Sequence, residues 1–178
     1  MKHTSMHKLR QNNVNIRLGV EEDLACITDI YNQAIELKSA TADISPVSIS
    51  NRRNWLSEHS SDKYPVFVAD LGGAVVGYCS LSAYRPGRMA LRYTAEISYY
   101  VHEDCRALGI ASTLMQHAID ACPRLRIRTL FVILLDINSD SVRILDKFGF
   151  KKWGHMPRVA DFDGKECGHL YFGLRLSP

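Results

Sequence analysis

The sequence lacks the cysteine patterns that mark an extracellular or a zinc-binding protein. Its five cysteines are odd in number and scattered, and no two are spaced as Cys-x-x-Cys, so neither a disulfide framework nor a metal site is expected. No stretch approaches the ~18 consecutive apolar residues of a membrane span. The start, "MKHTSMHKLRQNNVN", is polar and basic without an apolar core, which does not fit a secretory signal. We expect a cytoplasmic protein without metal or membrane contact.

Excess charge of one sign is also missing. The 178 residues carry a formal net charge of +3, which is too mild to favour nucleic acid as a partner but permits a local basic site for an anionic ligand. A composition of 46% hydrophobic and 23% charged residues is ordinary for a folded protein. The length suits one domain.

The order of apolar patterns indicates a single α/β domain. Apolar residues at helical spacing predict a helix within 20–38, and the strand-like segment 64–69 precedes a hairpin signal at Gly72-Gly73. The predicted order is strand, two helices, three strands, helix, strand, helix and two strands, the last two being short segments at 150–154 and 168–177. Such an order favours a partly antiparallel sheet. Residues 1–15 are predicted to be a flexible tail and 16–178 the domain.

The stretch "CRALGIAS", residues 105–112, lies where a predicted strand passes into a predicted helix. Backbone N–H groups at such a junction lack helical partners and favour a bound anion. Gly109 and the small Ala111 would allow a ligand to approach the backbone closely. An ordinary strand-to-helix turn remains an alternative interpretation of so short a motif. The P-loop pattern and the dinucleotide pattern G-x-G-x-x-G are both absent.

This motif, read as Arg106 to Ala111, resembles the pyrophosphate-binding motif of the GCN5-related N-acetyltransferase (GNAT) superfamily. Asn138 with Ser141, followed by "KFGF", is similar to that superfamily's second cofactor element. More narrowly, "IYNQAI", "YPVFVAD", "TAEISYYVHED" and "SVRILDKFGF" resemble the phosphinothricin acetyltransferase and amino-acid N-acyltransferase family. The resemblance runs over residues 16–176. It implies a mixed, mostly antiparallel sheet of about six to seven strands flanked by about four helices.

The resemblance also implies acetyl-CoA as acyl donor, with direct transfer in a ternary complex and pantetheine lying between two strands that splay apart. No covalent acyl-enzyme is expected. The residues expected to bind acetyl-CoA are Tyr99, Tyr100, Val101, Arg106, Ala107, Leu108, Gly109, Ile110, Ala111, Ser112, Asn138 and Ser141.

Glu96 is the candidate catalytic base. It interrupts apolar residues in the strand "YTAEISYYV", and a half-buried carboxylate has its pKa raised by desolvation toward a value useful for a base. The alternative is a plain solvent-facing strand residue. Proton removal directly or through a water are both open.

The acceptor implied by the resemblance is the α-amino group of an amino-acid-like molecule of the phosphinothricin, methionine sulfoximine and methionine sulfone class. The basic loop "RPGRMALR" favours an anionic acceptor over a polyamine, and a guanidinium suits a carboxylate or phosphinate. Two alternatives are an acyl-CoA-binding regulatory module without turnover and an acetyltransferase for peptide N-termini or polyamines. The resemblance implies a homodimer as well. The residues expected to bind the acceptor are Arg88, Tyr31, Thr41, Leu91 and Thr94.

The sequence departs from the family pattern at several positions. Leu145 stands where family members often carry a possible general acid, so the thiolate must leave without a proton from that position. Ala107 and Leu108 replace a more usual glycine and basic residue, and Gly168 replaces an aspartate. Leu91 stands where the family has an aromatic residue in the acceptor loop. The changes at Ala107 and Leu108 concern the phosphate contacts. Those at Gly168 and Leu91 concern the acceptor, and the reaction itself is still expected.

Overall fold

The computed structural model describes residues 14–176. Its first strand begins at Val14, two residues before the domain boundary that the sequence predicted at Ile16. The rest of the predicted tail, residues 1–13, lies outside the described residues, as do residues 177 and 178.

Seven strands form one sheet in the order β1-β2-β3-β4-β5-β7-β6. Every neighbouring pair is antiparallel except β4 and β5, which run parallel. The mixed, mostly antiparallel sheet expected from the sequence is thereby confirmed. The strands are β1 (Val14–Leu18), β2 (Val66–Leu71), β3 (Ala74–Ala83), β4 (Thr94–Val101), β5 (Thr129–Leu135), β6 (Lys151–Phe162) and β7 (Lys165–Arg175).

Four α-helices flank this sheet within the described residues. None of these helices has the length and apolar character needed to cross a membrane. The helices are α1 (Leu24–Glu36), α2 (Ile49–Ser57), α3 (Ile110–Ala121) and α4 (Ser139–Lys147), with short 3-10 turns at Glu21–Asp23, Met89–Leu91 and Glu103–Cys105.

The two faces of the sheet carry separate apolar clusters, because alternate strand residues point to opposite faces. On one face Phe67 packs in a cluster with Ile110 and Leu114 of α3. On the other face the neighbouring Val66 and Val68 pack with residues of α1, including Ile27. The four-residue spacing predicted for α3 is confirmed, since Ile110, Leu114 and Ala118 are all buried. Burial of each large side chain contributes about 1.5–3 kcal/mol.

The parallel pair β4–β5 separates soon after it forms. Its register runs from Thr94↔Thr129 only as far as Glu96↔Phe131. Beyond that point β4 stays paired with β3, and β5 stays paired with β7 as far as Leu135. The splayed strands implied by the resemblance are therefore present, and they leave one backbone edge of β4 unpaired.

The β6–β7 hairpin is longer than the sequence predicted. The strands expected at 150–154 and 168–177 overlap with β6 and β7, which join at Asp163 and Gly164; residue 177 lies outside the described residues. Both turn residues have positive φ, 54° and 90°, as an Asp-Gly hairpin turn requires. The predicted length of β6 was wrong because β6 is an edge strand with mostly exposed residues. Such a strand shows no apolar alternation.

Gly77 of β3 allows a close approach that shapes the gap between the strands. A Cβ at this position would lie 3.0 Å from the carbonyl oxygen of Tyr100 and 3.1 Å from Cγ2 of Ile110. Contacts this short are tighter than ordinary Cβ contacts, so a methyl group would force a neighbour to shift, and the carbonyl belongs to the β4 backbone. Gly77 thus lets β3, β4 and the first turn of α3 pack together.

We predict that Gly77→Ala lowers the free energy of unfolding by about 1–3 kcal/mol, the usual cost of overpacking a tight core position. Urea unfolding followed by circular dichroism measures it. Gly154→Ala is the matched control, because its Cβ would meet Tyr171 Cβ at an ordinary 3.8 Å. Equal stability of the two variants would contradict the close-approach argument.

Candidate functional site

A cleft of about 600 Å³ opens where β4 and β5 separate. Residues 98–101 of β4 form one wall, residues 132–134 of β5 form the other, and the loop before α3 closes one end. Eleven of the twelve residues predicted to bind the cofactor line it. They are Tyr99, Tyr100, Val101, Arg106, Ala107, Gly109, Ile110, Ala111, Ser112, Asn138 and Ser141. The twelfth, Leu108, does not line the cleft and packs against the larger apolar core.

The N-terminus of α3 offers an anion site at the end of this cleft. Thr113 carries the first N–H group in α3 that donates to a carbonyl earlier in the helix, that of Gly109, at 3.0 Å. The preceding N–H groups, from Ile110 to Ser112, therefore have no carbonyl partner within the helix. Gly109 adopts φ +81° at the N-cap, a conformation that favours glycine. Free N–H groups and the helix dipole together suit a phosphate-type anion.

Two cationic side chains add to this positive end. Arg106 precedes α3 and Lys147 ends α4, and both line the cleft. Neither forms an ion pair with another residue in the 14–176 range that the structure describes. By contrast, the nearby Arg143 is already paired with Asp140. Arg106 and Lys147 are therefore the cations that remain available to an anionic ligand.

Asn138 has a structural role that the sequence motif did not reveal. It caps α4, its Oδ1 accepting the Ser141 N–H at 3.1 Å, which satisfies one of the helix's unpaired donors. Burial raises the pKa of the neighbouring Tyr99 to about 12, an effect that Ser141 partly opposes. Even so, the Tyr99 hydroxyl is buried without a hydrogen bond of adequate geometry to the described residues.

A second cleft, of about 370 Å³, lies on the α1–α2 face of the sheet. Ser98 and Tyr100 of β4 line both clefts, so the two meet at these residues. The second cleft has aromatic and hydroxyl walls with one charge of each sign. Its other lining residues are Tyr31, Asp43, Val47, Asn51, Arg52, Trp55, Tyr78, Ser80 and Ser82.

Glu96 lies close to where the two clefts meet. It is two residues from Ser98 on the same face of β4, a distance of roughly 7 Å along a strand, and it does not itself line either cleft. Its register partners are Ser82 on β3 and Phe131 on β5. Burial raises the pKa of the Glu96 carboxyl, and its carboxylate has no ion pair or hydrogen bond to residues 14–176. These properties fit a proton acceptor.

A histidine adjoins this point through Ser82. His59 Nδ1 lies 2.7 Å from the Trp55 carbonyl and must carry the hydrogen that it donates there. Nε2 is then free to accept the Ser82 hydroxyl proton, at 3.2 Å. Burial lowers the pKa of His59, so the ring is favoured as neutral. Ser82 lies opposite Glu96 in the β3–β4 register, without a hydrogen bond to its carboxylate.

The residues predicted to bind the acceptor lie in two different parts of the structure. Tyr31 lines the second cleft, and its hydroxyl lies 3.1 Å from Thr41 Oγ1. Arg88 and Leu91 lie in the exposed loop between β3 and β4, and Thr94 begins β4; none of these three lines either cleft. Their predicted roles remain predictions.

Arg52, Trp55 and His59 were missed by the sequence reasoning, although all three lie on or just after α2. The spacing of Arg52 and Trp55 by three residues was a signal that they share a helix face. Nothing local marked that face as buried. Leu145, at the position of the missing acid, lies in the larger core with 0% exposure, so no proton donor occupies that place. No cluster of three or more metal-binding side chains occurs within residues 14–176.

Comparison with known proteins places the chain among acetyltransferases. A family model described as the Acetyltransferase (GNAT) family matches residues 27–150. YwnH of Bacillus subtilis, described as a candidate phosphinothricin acetyltransferase, is 36% identical over 92% of this chain and 100% of its own length. An L-methionine sulfoximine/L-methionine sulfone acetyltransferase of Pseudomonas aeruginosa is 33% identical over 92% of this chain and 95% of its length.

The fold agrees with a solved structure of the same kind. A GNAT superfamily phosphinothricin acetyltransferase from Sinorhizobium meliloti, in complex with acetyl-CoA, superposes with a TM-score of 0.86 and 28% identity. The match covers 92% of this chain and 89% of that chain. Sequence and fold thus point to the same family.

We predict different effects from removing two buried tyrosine hydroxyls. Tyr99→Phe removes an unpaired buried hydroxyl and should leave the free energy of unfolding unchanged or raise it by up to about 1 kcal/mol. Tyr78→Phe is the matched control, because the Tyr78 hydroxyl accepts a hydrogen bond from Arg52 at 2.8 Å. Its loss should cost about 1.5–3 kcal/mol. Urea unfolding measures both, and a Tyr99→Phe loss as large as that of Tyr78→Phe would refute the assignment.

Proposed function

The chain belongs to the GNAT family of N-acetyltransferases, and on that premise we propose that it transfers acetyl from acetyl-CoA to the α-amino group of an amino-acid-like molecule. Transfer is direct, within a ternary complex. The observation that carries the proposal is the meeting of the two clefts at Ser98 and Tyr100. Glu96 lies two residues from Ser98 on the same face of β4. One cleft ends in an anion site and the other holds a buried cation.

The first cleft is proposed to bind acetyl-CoA. The N–H groups at the start of α3 and the Arg106 side chain suit the pyrophosphate. The unpaired edge of β4 beyond Glu96 can hydrogen-bond an extended amide chain such as pantetheine, as sheet edges bind peptides. The S. meliloti acetyltransferase with acetyl-CoA supports this assignment.

Glu96 is proposed to accept the proton that the acceptor ammonium must lose, either directly or through one water. The free amine then forms a bond to the thioester carbon, and a backbone N–H on the open side of β4 stabilises the oxyanion. The C–S bond breaks, the electron pair leaves on the CoA sulfur, and the product nitrogen loses its second proton to water or to that thiolate. Leu145 cannot supply a proton to that thiolate, so it leaves as the anion or takes a proton from water.

The proposed acceptors are the phosphinothricin, methionine sulfoximine and methionine sulfone class. The B. subtilis and P. aeruginosa relatives carry these names, and the cation in the second cleft suits molecules with a carboxylate. Polyamines are less suitable, since a polyamine would place positive charge beside Arg52.

We include a cytoplasmic homodimer in the proposal. The five cysteines are all free thiols, as is usual in a reducing compartment. Apolar side chains are exposed on the edge strand β6, namely Trp153, Met156 and Val159, with 53%, 47% and 48% exposure. Such a surface suits a second copy of the chain. A purely monomeric sedimentation profile at assay concentration would contradict the dimer.

We predict that the protein releases thiol from acetyl-CoA with phosphinothricin, methionine sulfoximine or methionine sulfone. The measurement is a free-thiol assay over a panel that also contains ordinary amino acids and spermidine. Turnover should be at least tenfold faster, in kcat/KM, with the first three than with spermidine. Binding of acetyl-CoA without thiol release from any amine would refute the proposed function and favour a regulatory module without turnover.

We predict that Glu96→Gln lowers kcat by about 10²–10⁴-fold, the usual contribution of a general base, while calorimetry shows unchanged acetyl-CoA affinity. In the wild type the base must be deprotonated, and burial raises its pKa. The low-pH limb of kcat/KM should therefore rise with pH through a value above the ordinary glutamate pKa of about 4.3. Glu103→Gln, at an exposed turn, should change neither. A variant Glu96→Gln with wild-type kcat would exclude Glu96 as the base.

A further inference from the structure

Arg52 is a buried cation without an anionic partner. It lies in α2 with 7% exposure, and no carboxylate lies within ion-pair distance of it among the residues that the structure describes. A buried charge is costly unless it is paired and hydrogen-bonded. Arg53, the next residue, is exposed and pairs with Glu21. Of these two arginines, the buried Arg52 is therefore the one without an anionic partner.

Aromatic side chains fix the plane of the Arg52 guanidinium. Its central carbon lies 3.8 Å from the ring centre of Tyr31 and 4.6 Å from that of Trp55. Stacking of this kind stabilises a cation but does not neutralise it. The held guanidinium is thereby presented to a ligand in one orientation, which suits the planar geometry of a carboxylate.

The hydrogen bonds of Arg52 leave donors unused. Nη2 donates to the Tyr78 hydroxyl at 2.8 Å, and Nε is buried with no hydrogen-bond partner. Nη1 makes no hydrogen bond to any residue in the 14–176 range and is not among the buried unpaired atoms. Since Arg52 lines the second cleft, Nη1 is the donor left for a ligand there.

Asp43 does not supply the missing charge. It lines the same cleft, but it is exposed and its Oδ2 accepts the Tyr31 hydroxyl at 2.6 Å. No ion pair joins it to Arg52. The cleft therefore keeps a buried positive charge without an ion pair to the described residues, and the negative charge of Asp43 lies at its exposed rim, on the hydroxyl of Tyr31.

We infer that Arg52 binds the carboxylate of the acceptor and is the specificity-determining residue of the second cleft. This inference rests on the proposed function, since it assigns the acceptor's place in that site. A carboxylate on Arg52 keeps the attached α-carbon and its amino group in the second cleft, on the side of Ser98, where the clefts meet. The α-amino group then lies on the Glu96 side. An acceptor without the carboxylate leaves Arg52 buried and unpaired.

The test compares an acid with its amide on three proteins. Methionine sulfone and its carboxamide differ at the carboxylate alone, and the proteins are the wild type, Arg52→Met and Arg53→Met. Wild type and Arg53→Met should prefer the acid by on the order of 10–100-fold in kcat/KM, the range expected for a hydrogen bond to a charged group. Arg52→Met should lose that preference, mainly through KM. A variant that is only misfolded would lose both substrates equally and keep the ratio.

A binding measurement makes the test independent of turnover. Trp55 lies next to Arg52, so its fluorescence, read in a Trp153→Phe background with CoA present, should report the acid. Saturation by the acid at 10–100-fold lower concentration than by the amide, abolished by Arg52→Met, supports the inference even if thiol release fails. Equal affinity of wild type for acid and amide would overturn it. If Arg52→Met does not fold, Arg52→Lys should weaken the preference at least threefold, because lysine lacks the guanidinium fork; an unchanged preference would overturn the inference.

Discussion

The separation of β4 from β5 is the constraint on which the rest of the site depends. Only three residue pairs join these strands, ending at Glu96↔Phe131, while each strand keeps its antiparallel partner on the other side. The sheet is thereby divided without losing its outer pairings. The unpaired edge of β4, the start of α3 and the meeting of the two clefts all follow from this division. Gly77 supports it by letting β3 and α3 approach the far end of β4.

Four charged side chains near the gap between β4 and β5 do not form ion pairs with one another. Arg106 and Lys147 lie at one end of the first cleft, and Arg52 lies in the second. Desolvation raises the pKa of Glu96, and no cation opposes it. If Arg52 were close enough to stabilise the ionised carboxyl, the pKa would fall and the base would weaken. The proposed chemistry therefore requires that Arg52, which binds the acceptor carboxylate, lies away from Glu96, which acts as the base.

The sequence predicted the parts of this arrangement that depend on neighbouring residues. The spacing in α3 and the apolar run of β5 are local patterns that the structure confirms, and the motif at 106–111, also local, lines the cleft apart from Leu108. The length of β6 could not be predicted, since its exposed edge position removes the alternation that reveals a strand. The burial of Arg52 depends on Tyr78, 26 residues away, and the His59–Ser82 contact spans 23 residues. A charged residue in a polar helix gives no local sign of such contacts.

The departures from the family motif show how the loop before α3 is held. Ala107 adopts φ +60°, a left-handed conformation that costs a non-glycine residue about 1–2 kcal/mol. The next residue, Leu108, is partly buried and packs against the larger core, and full burial of a leucine would contribute about 1.5–3 kcal/mol. Part of that contribution offsets the strain at Ala107, so a contact with the protein interior helps to hold the loop where the family more often has glycine and a basic side chain. Anion binding at this end of the cleft then depends on the N–H groups of α3, Arg106 and Lys147.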